Sequence, residues 1–370
     1  MRICFLNNDL NERTGAGQFC LNLTREFLAA DRTLSVVVLT AVGCGHPLER
    51  VLLPTRWWRL PTRILAIRAA FRECDIVHAL DGWPWGVIAA IARLGLRKPL
   101  VITAIGTGAI QPLYDHRRWL LSWAYRRADA LAAISGYTRR EILKKIPGLA
   151  ITVVNHAVRA SEFAESVLPS LPEDEQERIR SLRPYVLSVG APKARKGFPD
   201  ALRAFSLVAA KFPDLRYVIV GGGAKTFGRI AGELGFGDRL VILRGLSRAI
   251  VIALYQNAEA FLLMPRDVGK DVEGFGFAFL EAAAAGIPVI GTRESGAEDA
   301  VLDGKNGVLV APGDADAAAN AMARILGDPA LREHWGSASR DFAREMHWGR
   351  VVGSYRDIYR ALGAQGALIP

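Results

Sequence analysis

The residues best placed to do chemistry in this chain gather around two carboxylates, Glu273 and Glu281, eight positions apart in Glu273-Gly-Phe-Gly-Phe-Ala-Phe-Leu-Glu281. On one continuous helix that spacing would set them roughly 80° apart. Gly274 and Gly276 argue instead for a loop that carries Glu273 and a helix that carries Glu281. Gly286 reads as the helix stop, Pro288 blocks its continuation, and Val289–Ile290 reads as a strand. A helix N-terminus reached through glycines lets backbone N–H groups approach an anion. A carboxylate on either side can hold hydroxyls. The chemistry that fits is the binding of a ligand carrying both phosphate and sugar.

The elements that must position these groups alternate along the chain. Strand-like runs fall at Ile3–Leu6, Ser35–Thr40, Ile76–Ala79, Leu100–Thr103, Ala130–Ile134 and Ile151–Val154, with helical patterns such as Gln18–Ala30 and Trp85–Leu94 between them. A second set runs through Tyr185–Val189, Tyr217–Val220, Leu240–Leu243, Ala260–Leu263, Val289–Ile290 and Gly307–Val310, with helices such as Phe198–Phe212 and Ala315–Leu326. Strands alternating with helices predict parallel, doubly wound sheets. The polar, proline-broken stretch Ala164–Pro184 reads as a linker with a short helix. Two Rossmann-like α/β domains facing a central cleft are therefore expected, at 1–165 and 185–347, with the linker at 166–184 and a terminal helix in 348–370.

Length and composition agree. A chain of 370 residues exceeds what one core usually holds, and 51% hydrophobic with 23% charged residues is ordinary for a soluble protein. No run of about 20 apolar residues appears, so no membrane-spanning helix is expected. Met1–Asn7 reads as a buried strand entering a polar loop, too short for a signal-peptide core. Cys4, Cys20, Cys44 and Cys74 have neither metal-ligand nor disulfide spacing, which points to a reducing, cytoplasmic location and no metal site. The net charge of +10 favours an acidic partner. The clearest basic stretch, Arg56–Arg72, mixes arginines, Trp57, Trp58 and aliphatics. It suits either a helix lying on anionic lipid at the inner membrane face or a surface helix with solvated arginines. No nucleic-acid module is visible. Val220-Gly-Gly-Gly223 lacks the following acid that a dinucleotide site needs, which argues against a dehydrogenase.

The segment Glu273–Glu281, continued by Gly291-Thr-Arg-Glu-Ser-Gly-Ala-Glu298 and by Gly304-Lys-Asn-Gly307, resembles the E-x7-E region of the retaining glycosyltransferases of family 4, which have the GT-B fold. The resemblance runs from Tyr185 to Trp348 and is looser in the first half. It implies transfer of a sugar from a UDP- or GDP-linked donor, with no further cofactor, to a glycan or lipid-linked acceptor. It also implies that the terminal helix crosses back onto the first domain.

The roles it implies fall residue by residue. Glu281 accepts hydrogen bonds from the donor ribose, and Glu273 sits near the donor sugar. Gly274, Phe275 and Gly276 line the donor. Arg195 and Lys196, in Val189-Gly-Ala-Pro-Lys-Ala-Arg-Lys-Gly197, hold the pyrophosphate, with Lys196 and Glu273 as the catalytic pair. Arg244 lies where backbone groups often hold the base. Gly15 and Gly17, in the loop Asn7–Gly17, resemble a glycine-rich loop that contacts the donor diphosphate. Two positions depart from the family. Its usual arginine is Ala191 here, with Lys193 as a substitute, and its usual histidine before a glycine is Ile105, before Gly106. His78, Asp81 and Gly106 then become the candidates for the acceptor side, although a strand-end histidine also reads as packing. These departures keep open a second reading, a non-catalytic nucleotide-sugar-binding partner protein.

Overall fold

Aliphatic runs bounded by polar turns become the strands of two parallel sheets, because a strand covered on both faces needs apolar side chains on both. The computed structural model describes residues 1–12, 14–163 and 170–366. Residues 164–169, which close the expected first domain and open the expected linker, lie outside the described residues. Two units emerge: Met1–His156 with the chain from Trp348, and Ala157–His347.

In the first unit the strands are β1 (Arg2–Leu6), β2 (Ser35–Thr40), β3 (Glu49–Val51), β4 (Ile76–Ala79), β5 (Leu100–Ala104), β6 (Ala130–Ala133) and β7 (Thr152–Val153). Their order is β3-β2-β1-β4-β5-β6-β7, and every pairing is parallel. The second unit repeats the plan with β8 (Tyr185–Gly190), β9 (Arg216–Gly221), β10 (Leu240–Leu243), β11 (Ala260–Leu262), β12 (Val289–Thr292) and β13 (Gly307–Val310), ordered β10-β9-β8-β11-β12-β13. In each sheet the chain starts centrally, winds one way for two strands, then returns to the other side of the first strand. The loops that leave β1 and β4, and those that leave β8 and β11, therefore diverge at the carboxyl edge. Such a switch point is where open α/β sheets admit ligands. The short edge strand β3 was not expected, since Glu49-Arg-Val51 is partly exposed and carries no alternation to read.

The Trp348–Gly366 helix packs within the first unit. Tyr359 stacks on Phe27 of the Gly15–Ala30 helix at 5.7 Å between ring centres. The basic stretch forms the Leu60–Arg72 helix, which turns Ile67, Ala70 and Phe71 inward. Arg68 is structural: its Nη1 donates to the carbonyls of Ala92 (2.8 Å) and Leu94 (2.6 Å). Among the described residues no helix is long and apolar enough to cross a membrane.

Candidate functional site

The switch point of the second sheet collects the charged groups. The loop after β8 makes a tight turn at Ala194–Lys196, and Gly197 follows it with φ of +65°. A Cβ on Gly197 would collide with the carbonyl of Met264, just past β11, so only glycine lets the two loops close up here. Arg266 N then donates to Arg195 O at 2.9 Å. The chain past β11 continues to Glu273, whose backbone carbonyl accepts from Gly296 N at 2.8 Å. Glu273 is 9% exposed, and its side chain meets Lys196 Nζ at 2.8 Å and Arg195 Nε at 3.6 Å. Burial works to raise the Glu273 pKa. Lys196 foremost, then Arg195 and the Gly276 amide, outweigh it and hold the carboxyl below its ordinary value. Arg195 Nη1 also bonds Asp271 Oδ1 at 3.0 Å. Lys193, the substitute expected for a missing arginine, is exposed; the side chain that enters the cluster is Arg195.

Gly276, with φ of +83°, ends this loop and starts the Phe277–Ala285 helix. Phe275 is buried beside it. Glu281 lies one turn into the helix and is 5% exposed. Its partners come from the Arg248–Asn257 helix after β10: Arg248 bonds Oε1, and Tyr255 OH donates to Oε2 at 3.1 Å. Arg248 also reaches Glu162 at 3.2 Å. Burial raises the Glu281 pKa, and Arg248 and Tyr255 offset only part of the rise. So the structure places one glutamate on the loop and one in the helix, as the glycines implied, and pushes their pKa values apart. Sequence reading passed over Arg248 and Tyr255; their seven-residue spacing, two turns of one helix face, was the available signal. Arg244 is exposed at the end of β10, and the arginine that reaches Glu281 is Arg248, four residues on.

The first unit's switch point is closed by hydrogen bonds within its own loop. In the loop after β1, Asp9 Oδ1 accepts from Asn11 N (3.0 Å) and Thr14 Oγ1 (2.7 Å), and Thr14 caps the helix through Gly17 N at 3.0 Å. A Cβ on Gly17 would strike the Asn11 backbone, whereas Gly15 faces open space. Gly17 is thus needed by the loop itself, and Gly15 leaves room at the helix start.

His78 corrects the acceptor-side expectation. It is 0% exposed, its Nδ1 lies 2.6 Å from Tyr359 OH and its Nε2 2.7 Å from Thr103 Oγ1, and burial pushes its pKa down to about 3. Both ring nitrogens are used inside the core, so none is left for a substrate. Asp81, just past β4, accepts from Gly82 N at 2.6 Å and from the Ile105 amide, and burial raises its pKa well above the carboxylate range. Ile105 stands just before the short Gly106–Ile110 helix without a side-chain capping bond, and Gly106 has φ of +54°.

Comparison with known proteins adds a second line. Residues 13–162 match the model of Glycosyltransferase Family 4, and residues 171–342 match that of Glycosyl transferases group 1. A GDP-mannose-dependent alpha-(1-6)-phosphatidylinositol monomannoside mannosyltransferase of Mycolicibacterium smegmatis is 30% identical over 306 residues, 80% of this chain and 78% of the relative. The monoacylated-substrate counterpart from Corynebacterium glutamicum is 27% identical over 364 residues, 93% of each chain. Among solved structures, Anabaena HepE in complex with UDP and glucose superposes with a TM-score of 0.81 at 17% identity, covering 98% of this chain and all of that one. A sucrose-phosphate synthase from Thermosynechococcus elongatus gives 0.76 at 22%, covering 99% and 100%. With the two parallel sheets, these likenesses show the GT-B fold expected from the sequence.

The opposed pKa shifts have a measurable sign. A carboxyl whose folded pKa is depressed stabilises the fold above its unfolded pKa, and that contribution disappears as pH falls through the folded value. Glu273→Gln is therefore expected to cost about 3–5 kcal/mol at neutral pH, since it leaves Lys196 buried without its counter-charge. The gap between variant and wild type is expected to shrink as pH falls below the ordinary glutamate range. Urea unfolding at several pH values reads this directly, and a gap independent of pH would contradict the ion pair.

Proposed function

This chain belongs to glycosyltransferase family 4 and is a nucleotide-sugar-dependent glycosyltransferase, and on that premise we propose that it moves a hexose from a UDP- or GDP-linked donor to an acceptor hydroxyl with retention of anomeric configuration. The observation that supports the donor site best is a set of buried polar atoms without hydrogen bonds. Arg195 Nε, Arg266 Nε and Glu273 Oε2 all belong to the loops at the second switch point. Glu273 Oε2 has its ion pairs there but no well-directed bond. Native proteins usually complete such atoms with ordered water, an ion or a ligand, and three of them gathered at one switch point suit a polar ligand there.

In this reading Lys196 and Arg195, with the helix N-terminus after Gly276, neutralise the nucleoside diphosphate as it departs. Glu281 accepts the ribose hydroxyls, and Glu273 positions the donor sugar. The bond from the anomeric carbon to the diphosphate oxygen breaks as the acceptor oxygen bonds to the same face. The acceptor proton passes to the leaving phosphate oxygen, so the protein supplies orientation and charge rather than a base. No cofactor beyond the nucleotide sugar is invoked. The mannosyltransferase relatives make GDP-mannose and a phosphatidylinositol mannoside the first donor and acceptor to try. With either acceptor class, glycan or lipid-linked, Lys196→Ala and Glu281→Ala are expected to lower kcat/KM by roughly a hundredfold or more. Nuclear magnetic resonance of the product is expected to show the donor's anomeric configuration. An inverted product would overturn retention, and full activity in both variants would overturn the site.

We place the protein in the cytoplasm, on the inner membrane face. Trp58 and Leu65 are exposed at 57% and 78%, and Arg56 lies over the Trp58 ring at 5.3 Å. Trp119 and Leu120, beside Arg118, are exposed in the same unit. Cations flanking exposed aromatic and aliphatic side chains suit an anionic bilayer surface. Sedimentation with vesicles containing phosphatidylglycerol is expected, and loss of it after Arg56, Arg59 and Arg63 are changed to Glu. Equal sedimentation of the triple variant would remove this surface from the proposal.

A further inference from the structure

We propose that Asp271 is a positioning residue that sets Arg195 as the second phosphate clamp of the donor site, filling the place left by Ala191. The inference rests on the donor-site reading above and adds to it a residue from the loop that precedes Glu273. Ala191 has no side chain to reach a phosphate, and Lys193 points to solvent. Arg195 has only 19% of its side chain exposed and sits in the cluster.

The orientation of its guanidinium decides the matter. Nη1 is held by Asp271 Oδ1 at 3.0 Å, on one side of the fork. Nε is buried without a hydrogen bond, because Glu273 Oε2 at 3.6 Å is beyond reach of one. A guanidinium tethered at Nη1 keeps its Nε edge for a two-point bond, which is how arginine grips phosphate oxygens. Without the tether, Glu273 is the remaining carboxylate near Arg195, and the guanidinium would compete with Lys196 for it.

The loop is built to present this carboxylate. Val268 and Asp271 exchange backbone bonds at 3.1 and 3.0 Å across Gly269 and Lys270, which have φ of +58° and +66°. A left-handed lysine is disfavoured on its own and persists where surrounding contacts fix it. Asp267 Oδ1 accepts from Lys270 N at 2.7 Å, and Arg266 is tied to Asp200 at 3.2 Å and to the Arg195 carbonyl at 2.9 Å. Residues 266–272 are thus fastened to the 194–196 turn through backbone and side chain, and Asp271 is the point of contact with the guanidinium.

Calorimetry with GDP and UDP on wild type, Asp271→Asn, Arg195→Lys and the double variant tests this. Lysine keeps the charge but not the fork, and asparagine keeps the shape but not the charge. Each single change is expected to weaken nucleotide binding roughly tenfold, the scale of one charge-assisted hydrogen bond. The double variant is expected to bind no worse than Arg195→Lys, since both changes remove one clamp. A positioning role also raises the donor KM more than it lowers kcat. Unchanged binding in Asp271→Asn, additive losses, or tighter binding would overturn the proposal; the last would make Asp271 a competitor of the phosphate. If the wild type binds neither nucleotide, the donor-site reading falls and this inference with it. Wild-type binding with an unaffected Asp271→Asn removes Asp271 alone.

Discussion

Glu273 holds a carboxylate where only 9% of the residue meets solvent, and an ion so placed needs a counter-charge nearby. Lys196 at 2.8 Å supplies it, 77 positions earlier in the chain. The sheet explains how. β8 and β11 are neighbours although two strands intervene in sequence, so the loops that follow them open side by side. Gly197 lets the first loop pass over the Met264 carbonyl, and Gly276 turns the second into the Phe277–Ala285 helix. Strand order, two left-handed glycines and one buried ion pair form a single arrangement. Changing any of them moves the cations.

The two glutamates of this region live in different surroundings, and the difference suits a division of labour. Glu273 is held ionised by cations that outweigh its burial. Glu281 is buried as deeply, but its partners Arg248 and Tyr255 leave its pKa raised. A depressed carboxylate among cations is suited to organising charge. A raised one, already accepting from a hydroxyl, is suited to taking neutral hydroxyl donors. The first unit follows another rule. At its centre neutral polar groups bond one another in the chain Tyr359–His78–Thr103–Tyr355. That chain pins the terminal helix to the sheet and leaves Asp81 as the titratable group beside Ile105.

Much of this was legible in the sequence because it depended on local pattern. Aliphatic runs located twelve of the strands, and the glycines around Glu273 separated loop from helix. β3 escaped because a three-residue edge strand has no periodicity to show. What the sequence hid was contact between distant segments. His78 reads as an available strand-end histidine until the terminal helix, 281 positions away, places Tyr359 on its ring. Lys193 and Arg195 look interchangeable until the turn at Ala194–Lys196 sends one outward and the other to Glu273. The spacing of Arg248 and Tyr255 puts them on one helix face, but that this face meets Glu281 depends on how two helices pack.

The most direct test of the donor site is a crystal structure with GDP or UDP bound. The diphosphate is expected within hydrogen-bond distance of Lys196 Nζ and Arg195 Nε, and the ribose hydroxyls on Glu281. A nucleotide bound elsewhere, with Lys196 and Arg195 still closed on Glu273 and untouched by phosphate, would contradict the account of this switch point.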